Sequence, residues 1–171
     1  MTATMNISEI IARVKASQSA LGDGRDARSE NERADYWGQY NTHQQVISAL
    51  MNLPSDIARE EQHLADLEAR RADVVAKFAE LETAIADFTD WRTVPDARAR
   101  DAEWQRQWDL RRALQRLEEG TLLKAPGGCH ERLGDLDQRI GEVRDHRDRA
   151  RSALDAHLKA AVALLGAAVA G

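Results

Sequence analysis

The stretch DIAREEQHLADLEARRADVVAKFAELETAIADF, residues 56–88, carries the clearest periodic pattern in this chain. Apolar residues recur there seven or fourteen positions apart in two interleaved series, as at the a and d positions of a coiled-coil helix. The a series is Ile57, Leu64, Phe78 and Ile85, and the d series is Leu67, Val74, Leu81 and Phe88. Two charged residues interrupt it, Glu60 at a d position and Arg71 at an a position. The pattern predicts one long amphipathic helix over about residues 55–92.

A second heptad series lies towards the C-terminus and predicts another long helix, over about residues 130–167. Its members are Leu133, Leu136, Ile140, Val143, Ala150 and Leu154. A shorter amphipathic pattern between the two ends at Gly120 and contains Trp104, Trp108, Leu110, Ala113, Leu114 and Leu117. Short connections make successive helices antiparallel, so we expect the two long helices to run in the same direction with the shorter helix returning beside them. Alternatively, two chains pair through their long helices.

The N-terminal segment, residues 1–54, predicts two further amphipathic helices. Asn6 with Glu9, and Ser29 with Glu32, have the spacing of capping boxes. The second of these helices is expected to end at Pro54. Near one face it carries Tyr36, Trp37 and Tyr40, which we take as candidate partner-binding residues together with four residues of the shorter helix described below. We therefore divide the chain into an N-terminal helical segment, 1–54, and a long-helix bundle, 55–171.

Composition supports an all-α fold. Charged residues make up 31 % of the 171 positions, aromatic residues only 5 %, and there are three prolines, a balance typical of long helices. Runs of strand-forming residues are missing from the sequence. The expected architecture is an elongated helical bundle or coiled coil with two long heptad helices and a shorter helix between them.

Charge and end segments bear on partners and location. With 24 basic against 29 acidic residues the formal net charge is −5, which argues against a main role in binding phosphate backbones. A single cysteine cannot form an intramolecular disulfide, so a reducing compartment is expected. The N-terminus does not resemble a secretory signal, and the apolar tail, LKAAVALLGAAVAG, is shorter than the roughly 20 residues that span a membrane. We expect a cytoplasmic protein without membrane contact.

No catalytic pattern stands out. The stretch LLKAPGGCH, residues 122–130, places the only cysteine, Cys129, directly before His130, but the glycines and proline indicate a connecting loop. A redox-sensitive contact at the thiol is the functional alternative. Glu60 and His63 match a di-iron spacing once, with no second copy. We expect a non-enzymatic protein with no catalytic residues, no cofactor and no metal.

Two arginines occupy corresponding a positions, Arg71 and Arg147, each fourteen residues after the first a residue of its series. If both helices face one seam, the guanidinium groups lie at the same level. Buried charges need partners, so acids such as Glu68, Asp73 or Asp148 must meet them, or else water or a bound anion. A polar layer that fixes register is favoured over an anion site.

The segment ARARDAEWQRQWDLRRALQ, residues 97–115, contains the strongest candidate partner surface. Trp104 and Trp108 fall on one stripe of the helix and the leucines on another, about 130° away. Arg111 and Arg112 flank the tryptophans, and tryptophan with arginine is typical of interface hot spots. Core packing of the tryptophans is favoured over an interface, and both over nucleic-acid binding.

These features predict an assembly component, adaptor or scaffold that binds protein through its coiled-coil helices, as a homo-oligomer or within a larger assembly, because a narrow a/d seam buries little in a single chain. One alternative is a small acidic inhibitor of a nucleic-acid-processing enzyme, since residues 56–92 hold ten acids and five bases. A phage virion or assembly component is another. A nucleic-acid binder acting through the Arg/Trp helix comes last.

Overall fold

The computed structural model describes residues 6–24, 29–120 and 132–170. Over these residues the chain forms four α-helices and a short 3-10 helix, with no strand. They are α1 (Ile7–Ala20), α2 (Glu30–Ala86), the 3-10 helix (Trp91–Thr93), α3 (Ala97–Glu118) and α4 (Leu133–Ala170). The predicted all-α helical bundle is confirmed, as is the 22-residue helix between two long ones of 57 and 38 residues.

Side chains cap the first two helices as their sequences predict. The Asn6 side chain accepts a hydrogen bond from the Ser8 amide, and Asn6 with Glu9 completes a capping box. Ser29 and Glu32 bond reciprocally at the start of α2, side chain to backbone in each direction. Each box satisfies backbone N–H groups that have no partner within the helix.

The sequence ahead of α3 contains two residues of the N-cap type, Thr93 and Asp96. The N-cap is Asp96, whose carboxylate accepts from the Ala99 amide at 2.8 Å. The Thr93 hydroxyl instead donates to the carbonyl of Asp90 and closes the preceding 3-10 turn. At the other end Gly120 adopts a φ of 73°, a left-handed conformation that terminates helices. The predicted stop at Gly120 is confirmed.

Pro54 does not end a helix, because α2 continues through it. The proline ring removes one backbone hydrogen bond and costs about 3 kcal/mol in a helix interior. Buried apolar side chains lie on both sides, with Leu50 before it and Leu64 after it, and their burial favours one continuous helix. The predicted boundary between residues 54 and 55 therefore falls inside α2.

By its internal packing the chain forms two compact units. The first comprises Met1–Glu61 and Asp145–Gly171. Its core joins α1, the first half of α2 and the second half of α4, through Ile10, Val14, Val46, Ile47, Leu50 and Ala161. Hydrogen bonds add to this contact: the Gln18 side chain of α1 donates to the Tyr40 carbonyl and the Gln44 side chain of α2.

The second unit comprises Gln62–Arg144. Its buried core draws on α2, α3 and α4 through Leu64, Leu67, Val74, Leu81, Leu117, Leu136, Ile140 and Val143. Seven of these eight residues belong to the two heptad series and Leu117 to the shorter pattern. The seam predicted from the sequence is therefore the core of this unit.

Ion pairs show how α2 and α4 are oriented in the second unit. Arg71 of α2 pairs with Asp137 of α4. Glu68, three residues earlier on α2, pairs with Arg144, seven residues later on α4. Residue numbers of the paired residues decrease along α2 as they increase along α4, so the two helices are antiparallel. The prediction that they run in the same direction is wrong.

The physical reason is the mismatch in helix length. The prediction assumed that every helix folds back onto the one before it. At 22 residues against 57, α3 cannot cover the whole apolar stripe of α2. The Arg132 guanidinium donates to the Glu119 carbonyl at 3.2 Å, so α4 begins beside the end of α3 and packs directly on α2.

Candidate functional site

The two stripes of α3 have different surroundings. Leu117 is buried at 2 % exposure, and Leu110, Ala113 and Leu114 pack against the same core. Trp104 and Trp108, on the other stripe, remain 46 % and 43 % exposed. The favoured interpretation of these tryptophans as core residues is therefore wrong. The leucine stripe alone meets the neighbouring helices, and a stripe about 130° away on the same helix faces outward.

Arg112 lies against one of the exposed tryptophans. Its guanidinium carbon is 4.8 Å from the ring centroid of Trp108, within the range of a cation–π contact. Together with Arg111 and Gln115 these two residues line a shallow groove of about 220 Å³. The guanidinium of Arg111 also lies 5.4 Å from the ring centroid of Phe88. Of the two arginines predicted beside the tryptophans, Arg112 is therefore the one that stacks on Trp108.

A buried glutamine fixes the position of α3. Gln107 donates through its side-chain amide to the Thr89 carbonyl at 2.7 Å and to the Glu103 carboxylate at 3.0 Å. The hydrogen bond from Gln107, followed by the hydrogen bond and charge of Arg106, holds the pKa of Glu103 below its ordinary value. Sequence reasoning missed Gln107, because a polar residue between two apolar stripes matches no heptad position.

A second aromatic cluster lies in the first unit, near the start of α2. Trp37 sits edge-on to both tyrosines, with ring centroids 5.2 Å from Tyr36 and 5.7 Å from Tyr40. The Tyr36 hydroxyl donates to the Gly22 carbonyl at 3.3 Å. Trp37 is 50 % exposed. The three aromatic residues predicted as partner-binding candidates therefore lie together, with one exposed ring.

Beside this cluster is a groove of about 510 Å³ lined by Asp23, Gly24, Arg33, Tyr36 and Trp37. Its apolar wall is the Tyr36 and Trp37 pair, and its polar wall carries one acid and one base. The two charges are of opposite sign, so the groove favours neither an anion nor a cation by net charge.

The predicted polar layer of two arginines does not form. Arg71 meets Asp137, whose hydrogen bond and charge raise the pKa of the guanidinium further above its usual value. Arg147 bonds instead to its neighbour on α4, Asp148, at 2.8 Å. Each guanidinium thus has its own carboxylate in its own unit. The prediction that they share a level failed because it depended on parallel helices.

A groove of about 440 Å³ runs past the ion pairs of the second unit and is lined by residues of α2 and α4. Its charged side chains are Glu68, Arg71, Asp137 and Arg144, which form two ion pairs. With both arginines engaged by carboxylates, the groove offers an anion no unpaired cation. The two pairs set the register of α2 against α4.

One serine–histidine pair joins α1 to α2. The Ser17 hydroxyl lies 3.1 Å from Nε2 of His43, a buried residue. Nδ1 of His43 is 2.8 Å from the Gln39 carbonyl, which can only accept, so Nδ1 donates. In the neutral ring Nε2 then accepts from the Ser17 hydroxyl. The pair satisfies buried polar groups between two packed helices.

The remaining chemical predictions meet the structure only in part. Among the described residues no group of three or more His, Cys, Asp or Glu side chains could hold a metal ion. Cys129 and His130 lie outside the described residues. No helix in the described ranges has an apolar stretch long enough to cross a membrane.

Comparison of the chain with protein-family models, curated proteins and solved structures finds no match.

Proposed function

We propose that this protein acts without catalysis, as an assembly or adaptor protein that binds another protein through one surface of α3. That surface, here called the tryptophan face, consists of Trp104, Trp108 and Arg112. The observation that carries the proposal is that both indoles stay nearly half exposed while the opposite stripe of the same helix is core. A partner that covered them would gain the transfer free energy of two large apolar side chains.

The tryptophan face is also held in place before any partner arrives. Arg112 stacks on Trp108, and Gln107 ties the middle of α3 to the Thr89 carbonyl. Ordered side chains lose less conformational entropy on binding, which raises the affinity for a given contact area. Tryptophan and arginine are the residue types that most often dominate interface energetics.

The acidic-inhibitor alternative has weaker support. It requires the acids of α2 to be available to a basic partner. In the structure Glu61 pairs with Arg151 and Glu68 with Arg144, which neutralises part of the acidic run. No described feature favours a second function over protein binding by the tryptophan face.

Comparative capture from an extract of the native cell tests the proposal. The full chain, Trp104→Ala/Trp108→Ala and the control Val75→Ala would each be immobilised and the bound proteins identified by mass spectrometry. Val75 is an exposed apolar residue of α2 in the same unit, so it controls for general loss of surface hydrophobicity. We expect at least one protein to bind the parent chain and the control and to be lost from the double variant.

Circular dichroism must show that the double variant keeps its helicity. A hot-spot tryptophan contributes about 2 kcal/mol or more, so binding of the captured protein should weaken at least thirtyfold. Equal capture by all three chains would show that the tryptophan face is not the binding surface.

A further inference from the structure

We infer that a groove at the C-terminal end of the tryptophan face binds a phosphate monoester carried by the partner protein. The groove, here called the arginine groove, is the one of about 220 Å³ lined by Trp108, Arg111, Arg112 and Gln115. The inference deepens the proposed function and rests on it, because it names a chemical group of the partner. It is drawn from the charges that line this groove.

The lining of the arginine groove contains two bases and, among the described residues, no acid. The groove between α2 and α4 also contains two arginines, but each of them is paired there with a carboxylate. Within the part of the chain that the structure describes, neither Arg111 nor Arg112 forms an ion pair, whereas Arg106 of the same helix pairs with Glu103. The arginine groove therefore keeps two positive charges that its own walls do not neutralise.

Aromatic rings contact the two guanidinium groups instead. The guanidinium carbon of Arg111 lies 5.4 Å from the ring centroid of Phe88, and that of Arg112 lies 4.8 Å from the ring centroid of Trp108. A cation–π contact attracts the positive charge but supplies no oxygen acceptor, so the N–H donors of both groups remain available. The guanidinium fork matches the oxygens of a carboxylate or a phosphate. Both arginines can therefore donate to an oxyanion while the rings hold them.

Two acids close to the groove in sequence bond to glutamines. Asp109 accepts from the side chain of Gln105 at 3.0 Å, and Glu119 accepts from that of Gln115 at 2.9 Å. In both cases donor and acceptor are four positions apart, a spacing that brings side chains together on a helix. These carboxylates thus have partners other than the two arginines, which leaves the arginines to a group from outside the chain.

The size and charge of the arginine groove favour one dianionic group. Its volume of about 220 Å³ is below the roughly 300–1,000 Å³ of pockets that enclose a whole small molecule, so it suits a single group presented by a larger partner. A carboxylate carries one negative charge. A phosphate monoester carries about −1.5 to −2 at pH 7 and has three acceptor oxygens, enough to bond both guanidinium groups. A phosphate diester, as in a nucleic-acid backbone, carries only one charge.

Titration with phenyl phosphate tests the groove, and methyl phenyl phosphate is the singly charged diester with the same ring. NMR would follow the Nε–H signals of Arg111 and Arg112 and the indole N–H of Trp108 at about pH 7.5, above the second phosphate pKa of about 6. The test variant is Arg111→Gln/Arg112→Gln. The matched control, Arg98→Gln/Arg100→Gln, removes the same charge from the same helix at least eleven residues away, about 16 Å.

The parent chain should bind phenyl phosphate at least about tenfold more tightly than the diester, because the second charge strengthens the hydrogen bonds to both arginines. The test variant should lose about tenfold or more of this affinity, and the control should change it by less than about threefold. Equal affinity for the two esters overturns the inference, as does an affinity that the test variant retains.

Phosphatase treatment of the cell extract identifies the carrier of the phosphate. The parent chain should capture a protein that is lost when the extract is dephosphorylated. Arg111→Gln/Arg112→Gln should lose the same protein from untreated extract, and the control should keep it.

The outcomes separate this inference from the proposed function. Capture that phosphatase leaves unchanged overturns the inference alone, and the proposed function stands if Trp104→Ala/Trp108→Ala still abolishes that capture. The absence of any captured protein would contradict the proposed function and the inference together.

Discussion

At the scale of single residues, the two sides of α3 show how one helix serves two purposes. Leu117 is almost fully buried, whereas Trp104 and Trp108 keep nearly half of their surface in water. Hydrophobicity does not separate these positions, since tryptophan is at least as large an apolar group as leucine. Position around the helix axis separates them, because only one stripe meets α2 and α4.

Truncation should therefore have opposite consequences on the two stripes. We expect Leu117→Ala to lower the free energy of unfolding by about 2–5 kcal/mol, because it leaves a cavity in a packed core. Trp104→Ala and Trp108→Ala should each cost about 1 kcal/mol or less, as expected for exposed sites. Urea unfolding of the three variants, under conditions in which the chain is monomeric, measures these losses of unfolding free energy. If a tryptophan substitution cost as much as Leu117→Ala, the indoles would lie in the core.

The pKa of the Glu103 carboxylate gives a second prediction at the scale of single residues. Its pKa is held below the ordinary value first by the hydrogen bond from Gln107 and then by Arg106. A carboxylate with a depressed folded-state pKa stabilises the fold above its unfolded pKa, about 4.3, and this stabilisation is lost as the pH falls through the folded value.

NMR titration of the Glu103 side chain should therefore give a midpoint below about 4.3, and Gln107→Ala should move it upwards. The matched control is Gln105→Ala, which removes a side-chain amide that bonds Asp109 on the same helix and should leave the Glu103 midpoint unchanged. An unchanged Glu103 midpoint in the variant would show that the hydrogen bond from Gln107 does not determine this titration.

At the scale of elements, local signals predicted several helix boundaries correctly and one wrongly. The capping boxes at Asn6 and Ser29 form as predicted, since each depends on residues only three positions apart. Pro54 failed as a stop signal. Its cost of about 3 kcal/mol is local, whereas the burial that outweighs it comes from helices distant in sequence.

Two glycines give an element-scale prediction. Gly141 lies within α4, and a Cβ added there would meet no atom within 4 Å. Gly141→Ala should stabilise the protein by about 0.5–1 kcal/mol, because alanine loses less backbone entropy in a helix. A Cβ on Gly24 would instead lie 2.6 Å from ring carbons of Tyr36.

Gly24→Ala is the matched comparison and should destabilise the fold by about 1–3 kcal/mol, since the Tyr36 ring must move. Thermal and urea unfolding of both variants measure the difference. Stabilisation by Gly24→Ala would contradict the close packing of Tyr36, and destabilisation by Gly141→Ala would contradict the open space beside α4.

At the scale of the whole molecule, packing between α2 and α4 contributes to the core of each unit, and in the second unit the two helices are antiparallel. Arg71 pairs with Asp137 and Glu68 with Arg144 in the second unit, and Glu61 pairs with Arg151 in the first. These pairs are exposed, and each is worth about 0–1 kcal/mol. The ion pairs define the register of the two helices, whereas burial of the apolar seam beneath them contributes most of the stability.

Cross-linking tests this order. With Cys129 replaced by serine, Glu68→Cys/Arg144→Cys should react efficiently within one chain with a short bis-maleimide. The control, Glu82→Cys/Arg144→Cys, moves one thiol by fourteen residues, about 21 Å along α2, and should react poorly. Efficient reaction of the control together with a poor yield from the first pair would contradict the register given by the ion pairs.

Much of the fold could be predicted from the sequence because the relevant signals are periodic. The heptad series anticipated the core of the second unit, including Leu64, Leu67, Leu136 and Ile140. The candidate aromatic residues were also identified, and Tyr36, Trp37 and Tyr40 do lie together. The periodic pattern could not predict the exposure of Trp104 and Trp108. A helix with two apolar stripes can have one or two neighbouring helices, and the pattern does not distinguish these cases.

The sequence by itself determined that the chain is helical, where its capped helices begin and which heptad residues are apolar enough to form a seam, because these depend on neighbours within one or two helical turns. The tertiary structure alone decided that α2 passes through Pro54, that α4 runs antiparallel to it and that Arg71 meets Asp137. It also left the tryptophan face of α3 uncovered. Each of these outcomes depends on which helix, distant in sequence, packs against a given face. Alternative packings compete through the free energy of burying apolar side chains, and a local sequence pattern does not determine which of them wins.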